Sequence, residues 1–536
     1  MASGLLGRSG TTWPRAAVLL LALVVLGAGA ALRSAEYDES YTRLVTSPVP
    51  RPDWPDRPFT PEEARPRLDA VANASVIARN LRETDVHPPL YFWLAGAWRA
   101  AGGTSVEALR ALSVLLSLGA VAAFMAAAAA AGLPPVATGL LTALSYGFAY
   151  TGGVARGFAL AHLLIGLAAL AVLRAWRGRS AGLAALGGLA AGAASCANYL
   201  AAFPGAAMLA WLVVAPLPWR DRLRLAAAAG VPFLLAQGVN LHFFLAQRAS
   251  RPGQFEPFRP LDAIASLARF NLANLLGALP LYLMPPWSTL AAAGLAALAL
   301  GAGLAVALRW RAIGPTRWFW LAGFAAPSLG LLLLAATAGA MAIELRYLAF
   351  AAPFAAALVA GAAAGWQRRA PRLAPLALGL LLAVQAAGVA GMALHPETRQ
   401  GYRESLAAAA PSLPGGLLLV PIGNDGVGLV GAVLAEAPRD QPILLLREAE
   451  AATLPARVAT WPRLVLLGLH DRDGARQLAA ARAALLGAGW TVAATPWRDA
   501  RRGFAVEVLA PRRLSGVADR AEIVLVGGAH HGGEEP

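Results

Sequence analysis

The chain has 536 residues, 58% of them hydrophobic and only 14% charged, which excludes an ordinary soluble globular protein and predicts a polytopic membrane protein. The basic residues behind its formal net charge of +15 are all arginine and stand at the ends of apolar runs, so topology accounts for them and a nucleic-acid partner does not. One cysteine, Cys196, in an Ala/Gly-rich apolar segment, excludes an intrachain disulfide and a cysteine metal site.

The first apolar run, Ala16 to Leu32, follows Arg8 and Arg15 and ends in the small residues Ala28 to Ala31, a pattern shared with cleaved signal peptides. A retained span is expected, because an acidic cluster follows at once and many later spans need an orienting first one. That cluster is Glu36, Asp38 and Glu39 in Ala-Glu-Tyr-Asp-Glu-Ser-Tyr. A carboxylate at mid-bilayer costs about 3 kcal/mol on insertion scales, but at a span end it faces water while walled by apolar helices. Two readings stand: a marker of the non-cytoplasmic end, or a functional site.

Seven prolines between 48 and 66 predict an extended, partly mobile loop without regular helix. From Pro66 to Thr84, Leu68, Val71, Ala78 and Leu81 share a face and suit a helix lying at the membrane surface. The run after His87-Pro-Pro-Leu-Tyr-Phe-Trp93, about 88 to 101, is short of the ~20 residues a spanning helix needs. Taken as juxtamembrane, it leaves crossings near 16–32, 108–130, 135–151, 158–173, 181–197, 200–217, 225–246, 288–308, 318–341, 347–365 and 373–393, with 248–275 an outer loop. The arginine clusters at 174–179, 220–224, 309–311 and 368–372 then all lie in the cytoplasm, as does the N-terminus. Counting 88–101 as a span inverts them. No internal repeat of the kind transporters carry is visible.

From about 395 short apolar runs alternate with helical periodicity: strands at 417–422, 442–447 and 463–469, helices at 427–436 and 475–487, then runs at 490–494 and 503–509. The expected architecture is an α-helical membrane domain over 1–394, with an external loop 34–107, followed by an extracytoplasmic α/β domain over 395–536. Within it Gly426-Val-Gly-Leu-Val-Gly431 fits a dinucleotide fingerprint, with Glu448 downstream, but in so Gly-rich a chain it equally describes a tight strand-to-helix turn. The tail after Gly527, with His530, His531, Glu534 and Glu535, reads as disordered.

This topology brings polar residues to one membrane face: Asp38, Glu39 and Tyr41; Asp85, His87 and Tyr91; Arg156; Asn198 and Tyr199; Glu344, Arg346 and Tyr347. Acids there can deprotonate a hydroxyl or hold a divalent cation, and arginines can hold a phosphate. Taken singly, Arg156 or Arg346 also reads as a snorkelling interface residue. Several stretches together resemble a family. These are Asp38-Glu-x-Tyr41, the 87–93 segment with Gly103 and Glu107-Ala-Leu-Arg110, Ala155-Arg-Gly-Phe-Ala-Leu160, and Arg346-Tyr-Leu before Pro353. Over roughly residues 10 to 365 the chain is similar to integral-membrane glycosyltransferases of the GT-C fold, in the group of protein O-mannosyltransferases and aminoarabinose transferases.

The resemblance implies a GT-C-like fold of about eleven spans and transfer of a sugar from a polyprenyl-phosphate donor to a lipid, glycan or protein acceptor on the outer face of a bacterial inner membrane. It implies Asp38 as base with Glu39 in support, Arg156, Arg346 and Tyr347 on the donor phosphate, and Tyr41, Asp85, His87, Tyr91, Asn198 and Tyr199 around the substrates. A divalent cation, Mg or Mn, is used by some members. The chain departs from relatives at 156–158, Arg-Gly-Phe in place of Arg-Pro-Tyr, and at 198–199, Asn-Tyr in place of His-Tyr, and has no second acid beside Arg156 in sequence. Its Arg-only, Ala/Gly/Pro-rich usage matches a GC-rich bacterial genome. The competing class is a non-enzymatic polytopic protein, such as a lipid-linked sugar transporter or a cell-envelope assembly subunit; a transferase whose site no longer works is a further alternative.

Overall fold

The structure, a computed structural model, describes residues 12–49, 51, 53–247, 256–395, 400–468, 472–498 and 505–511. Among the described residues eight helices are long and apolar enough to cross a membrane: Thr12–Leu32, Val106–Ala131, Phe158–Gly178, Trp219–Gln247, Trp287–Leu308, Arg317–Ala338, Leu345–Gln367 and Leu373–Leu394. Runs of this length cover about 30 Å at 1.5 Å per residue, and with no water in hydrocarbon their backbone groups must bond within the helix. Two shorter apolar helices, Ala181–Ala197 and Tyr199–Val214, and the consecutive helices Pro135–Ala143 and Tyr146–Gly152 occupy the remaining apolar runs. These helices fall where the apolar runs predict helical segments.

One end collects the arginine clusters. Arg224 donates to the Arg179 carbonyl at 2.8 Å, and Arg309 lies 3.8 Å over the Trp366 ring, so distant clusters meet there. The opposite end carries the acidic helix Tyr37–Val45.

Three local expectations are corrected. Residues 260–275 are not an outer loop: Pro260–Leu276 is a helix packed among the spans, with Asn274 donating to the Leu348 carbonyl at 2.8 Å and Asn271 to Ser328 Oγ at 2.9 Å. Its asparagines, polar in a linear reading, are interhelical hydrogen-bond donors. The surface helix at 66–84 is two helices, Pro61–Asp69 and Ala74–Thr84, each with its own N-cap, Thr60 and Asn73. The first starts inside the proline-rich stretch because Pro61 occupies a first-turn position, where its missing N–H costs nothing. Nor is that stretch loose. Trp54 Nε1 donates to the Gly426 carbonyl at 2.5 Å, and Phe59 forms an antiparallel bridge with Ile443.

Beyond 400 a five-stranded sheet has the order β2-β1-β3-β5-β4, with β1 Leu417–Pro421, β2 Ile443–Leu446, β3 Leu464–Leu467, β4 Trp490–Arg498 and β5 Ala505–Pro511. The first three are parallel, pairing Leu418 with Ile443 and Leu417 with Leu464, and are wholly buried apolar runs, as strands covered on both faces must be. β5 and β4 close one edge antiparallel. The acidic tail after Gly527 lies outside the described residues.

Candidate active site

The helix Tyr37–Val45 follows the first span directly, and its two first-turn acids, Asp38 and Glu39, suit the positive end of the helix dipole. They are used differently. Glu39 is fully buried: Arg110 Nη2 and Nε reach its carboxylate at 2.6 and 2.8 Å, the Ala155 N–H donates to it at 3.0 Å, and the Glu36 N–H at 2.9 Å. Burial raises its carboxyl, but Arg110 outweighs burial and holds it below the usual carboxylate range. Arg110 donates onward to the carbonyls of Ala30, Arg33 and Ser34. Glu39, expected in support of the base, has its oxygens engaged by Arg110 and backbone, and it fastens the helix to the end of the first span.

That fastening aims Asp38. Ala155 donates to Glu39 and accepts from Thr42 Oγ1 at 2.7 Å, a reciprocal staple that sets Arg156 opposite Asp38. The Asp38 side chain, 17% exposed, is ion-paired with Arg346 and lies 4.0 Å from Arg156. Arg156 grips Asp85 with both terminal nitrogens at 3.0 and 3.1 Å, and His87 Nδ1 stands 3.0 Å from Asp85 and 3.2 Å from Arg156. Arg346 holds Glu344 at 2.8 Å on its other side. The result is a row of alternating charge, Glu344, Arg346, Asp38, Arg156 and Asp85, with the His87 imidazole at its end. The acid beside Arg156 in space is Asp85, 71 residues away along the chain.

Burial raises the Asp38 carboxyl, but Arg346 and then Arg156 outweigh it and hold the group below the usual carboxylate range. Burial and then Arg156 depress His87, which stays neutral near pH 7 although Asp85 opposes them. Tyr41 and Phe92 lie 5.8 and 5.4 Å beneath the Arg156 guanidinium, and Tyr347 5.4 Å from that of Arg346, so each arginine has an aromatic wall.

Three predicted substrate residues support the site from behind. Tyr91 is buried edge-on against Phe92. Asn198 Oδ1 accepts from Leu200 N at 3.1 Å and caps the break between two crossings. Tyr199 donates to Gln247 at 2.9 Å, and Gln247 in turn donates to the carbonyls of His87 and Leu81 at 2.9 and 3.0 Å. The two departures from the family pattern are neighbours: a Cβ on Gly157 would run into the Ala197 carbonyl, so the chain at 197–198 passes where a side chain at 157 would stand. Arg110, Gln247 and Arg99 carry supporting roles that the linear reading did not assign. Arg99 is buried and donates to Thr46 Oγ1 and to the carbonyls of Arg43 and Leu68. The signal was available, since an arginine within an apolar helix needs a buried partner.

The glycine motif serves the same helix. Asp425 Oδ1 accepts from the N–H groups of Val427 and Gly428 at 2.8 and 3.2 Å, and Oδ2 takes the hydroxyls of Tyr41, at 2.5 Å, and Tyr37. A Cβ on Gly428 would fall inside the Tyr37 ring, and one on Gly431 would lie 2.7 Å from Ser40 Cβ. The turn's donors are taken by Asp425 and its space by the acidic helix, so of the two readings of Gly426–Gly431 the strand-to-helix turn fits and the dinucleotide cradle does not.

Among the described residues no group of three or more His, Cys, Asp or Glu converges as a metal site. The carboxylates of Asp38 and Asp85 both point at arginines, so this arrangement does not fit a divalent cation.

No family model and no curated protein matches the chain. Among solved structures it is similar to ArnT from Cupriavidus metallidurans bound to undecaprenyl phosphate, at 15% identity and a TM-score of 0.49, over 95% of this chain and 100% of that one. It is also similar to the arabinofuranosyltransferase AftD from Mycobacteria, at 17% identity and a TM-score of 0.48, over 94% of this chain and 40% of that one. The third is the S. cerevisiae protein O-mannosyltransferase Pmt1-Pmt2 complex bound to the sugar donor, at 15% identity and a TM-score of 0.33, over 46% and 35%.

Proposed function

We propose that the protein transfers a sugar from a polyprenyl-phosphate donor to an acceptor hydroxyl, at the outer face of a bacterial inner membrane, with the N-terminus cytoplasmic and the α/β domain extracytoplasmic. The observation that carries this reading is Asp38 held between Arg346 and Arg156 at the end of an apolar span. A lipid phosphate is a competent leaving group, so a base on the acceptor and positive charge on the departing phosphate suffice, without the carboxylate pair of a glycosidase. The acceptor oxygen attacks the anomeric carbon and its proton passes to Asp38. The carbon–phosphate oxygen bond breaks, and the polyprenyl phosphate leaves with the bonding pair, held by Arg156 and Arg346.

The ion pairs give the reaction a built-in order. While both arginines face Asp38, its carboxylate is a weak base. A donor phosphate that draws them off raises its basicity only when the donor is seated. The test is sugar transfer from extracted polyprenyl-phosphate sugars in reconstituted vesicles. Asp38→Asn is expected to lower turnover about a hundredfold or more with donor binding retained. Full activity in that variant overturns the assignment. A chelator added in parallel is expected to leave wild-type turnover unchanged, and loss of turnover on chelation overturns the metal-free mechanism.

A further inference from the structure

At the arginine end, far from Asp38, an apolar groove of about 410 Å³ runs between the helices Trp287–Leu308, Leu345–Gln367 and Leu373–Leu394. Its walls are small side chains, among them Gly301, Ala302, Ala363 and Ala374, with Trp366 at the arginine end. Along the first helix the lining runs from Ala297 to Val306, a rise of about 14 Å, close to half of the ~30 Å hydrocarbon core. The groove therefore has the depth of one leaflet. Arg309, Arg368, Arg369 and Arg372 flank its Trp366 end in sequence, each within three residues of a lining residue. Arg309 lies over the Trp366 ring, with its Nε buried and without a hydrogen-bond partner. Among the described residues none of the four has a carboxylate within ion-pair reach. The one acid near this end, Asp221, is engaged by Arg179 and Arg224.

We propose that this groove is a binding site for an anionic diacyl phospholipid of the leaflet at that end, its chains against the small-residue walls and its phosphate between Arg309 and Arg369. Basic pockets between spanning helices are where acidic headgroups bind, and each arginine near the surface contributes about 1 kcal/mol to that attraction, about a fivefold effect. The lipid also has a packing role. Leu295 is the only buried residue of Trp287–Leu308, so protein contacts alone hold that helix weakly, and a chain wedged behind it supplies a missing wall. The inference is independent of the reaction proposed above.

The experiment is native mass spectrometry of the detergent-purified full chain, equilibrated with phosphatidylglycerol or with phosphatidylcholine of the same chain length. Wild type is expected to retain one phosphatidylglycerol in preference to phosphatidylcholine. Arg309→Gln with Arg369→Gln should cut phosphatidylglycerol retention about twentyfold and leave phosphatidylcholine unchanged. Ala302→Trp, which fills the groove and keeps the charges, should lose both. If the double variant does not elute as a single species, Arg369→Gln alone, on an exposed side chain, is expected to lower retention about fivefold. Equal retention of the two lipids by wild type, or retention unchanged by the substitutions, overturns the proposal.

Discussion

Asp38 and Glu39 are adjacent in sequence, yet one is offered to a substrate and the other is walled in, because successive positions on a helix point about 100° apart and only one side faces Arg110. The difference makes two predictions. In Arg346→Gln the largest of the influences lowering the Asp38 carboxyl is gone, while the opposing effect of burial remains. The acid limb of kcat/KM, expected below the ordinary aspartate value near 3.9 in wild type, should therefore move to higher pH. A pH–rate profile with an unmoved limb would mean that Asp38 is not the titrating base. Glu39→Gln leaves Arg110 buried without its counter-charge, a loss of about 3–5 kcal/mol, and should lower the thermal midpoint in detergent. The sign with pH follows from its depressed carboxyl: the stabilisation is complete above the ordinary glutamate value and is lost as pH falls through the lowered one. The midpoint of wild type should thus fall on acidification more steeply than that of the variant.

The element that decides the site is the helix Tyr37–Val45, held by the bundle through Glu39 and Thr42 and by the α/β domain through Tyr37, Ser40 and Tyr41. Gly431→Val should push it off its seat, since a Cβ at 431 already meets Ser40; overpacking costs about 1–3 kcal/mol, and a displacement of about 1 Å at a catalytic group costs about a hundredfold in rate. Gly487→Ala, where a Cβ meets nothing within 4 Å, is the control expected to retain activity. Equal turnover in both variants would separate the domain from the chemistry. Strand and helix positions in this domain were legible from periodicity, because buried leucine runs such as Leu417–Pro421 allow few alternatives. What the glycines do was not legible. Gly-x-Gly-x-x-Gly states only that something approaches the backbone, and whether that is a phosphate or a tyrosine ring depends on a helix almost 400 residues earlier. The same holds for Asp85 and Arg156: each was visible as a polar residue at a span end, but their pairing is a property of the fold. The helix Pro260–Leu276 escaped because hydropathy counts Asn271 and Asn274 as loop residues, while inside a bundle they find partners on neighbouring helices.

At the scale of the whole molecule, charge is partitioned between the two ends of the helical bundle. Acids are concentrated where Asp38 stands, and the other end is arginine-rich, with Asp221 enclosed between Arg179 and Arg224. The cost of moving an arginine cluster across hydrocarbon fixes this asymmetry during insertion, so the arginine end is expected in the cytoplasm. If the eight long helices, the two short ones and the broken pair each cross once, the chain returns to the side of Asp38, and the α/β domain meets the acidic helix there. The lone cysteine makes this testable in intact cells. After Cys196→Ala, a cysteine placed at Ser412, in the α/β domain, should react with a membrane-impermeant thiol reagent. One placed at Arg372, at the arginine end, should react only after the membrane is opened. Both reacting alike would leave the charge partition without a topological meaning. The reverse pattern would put Asp38 on the cytoplasmic side, where the proposed reaction at the outer face has no site.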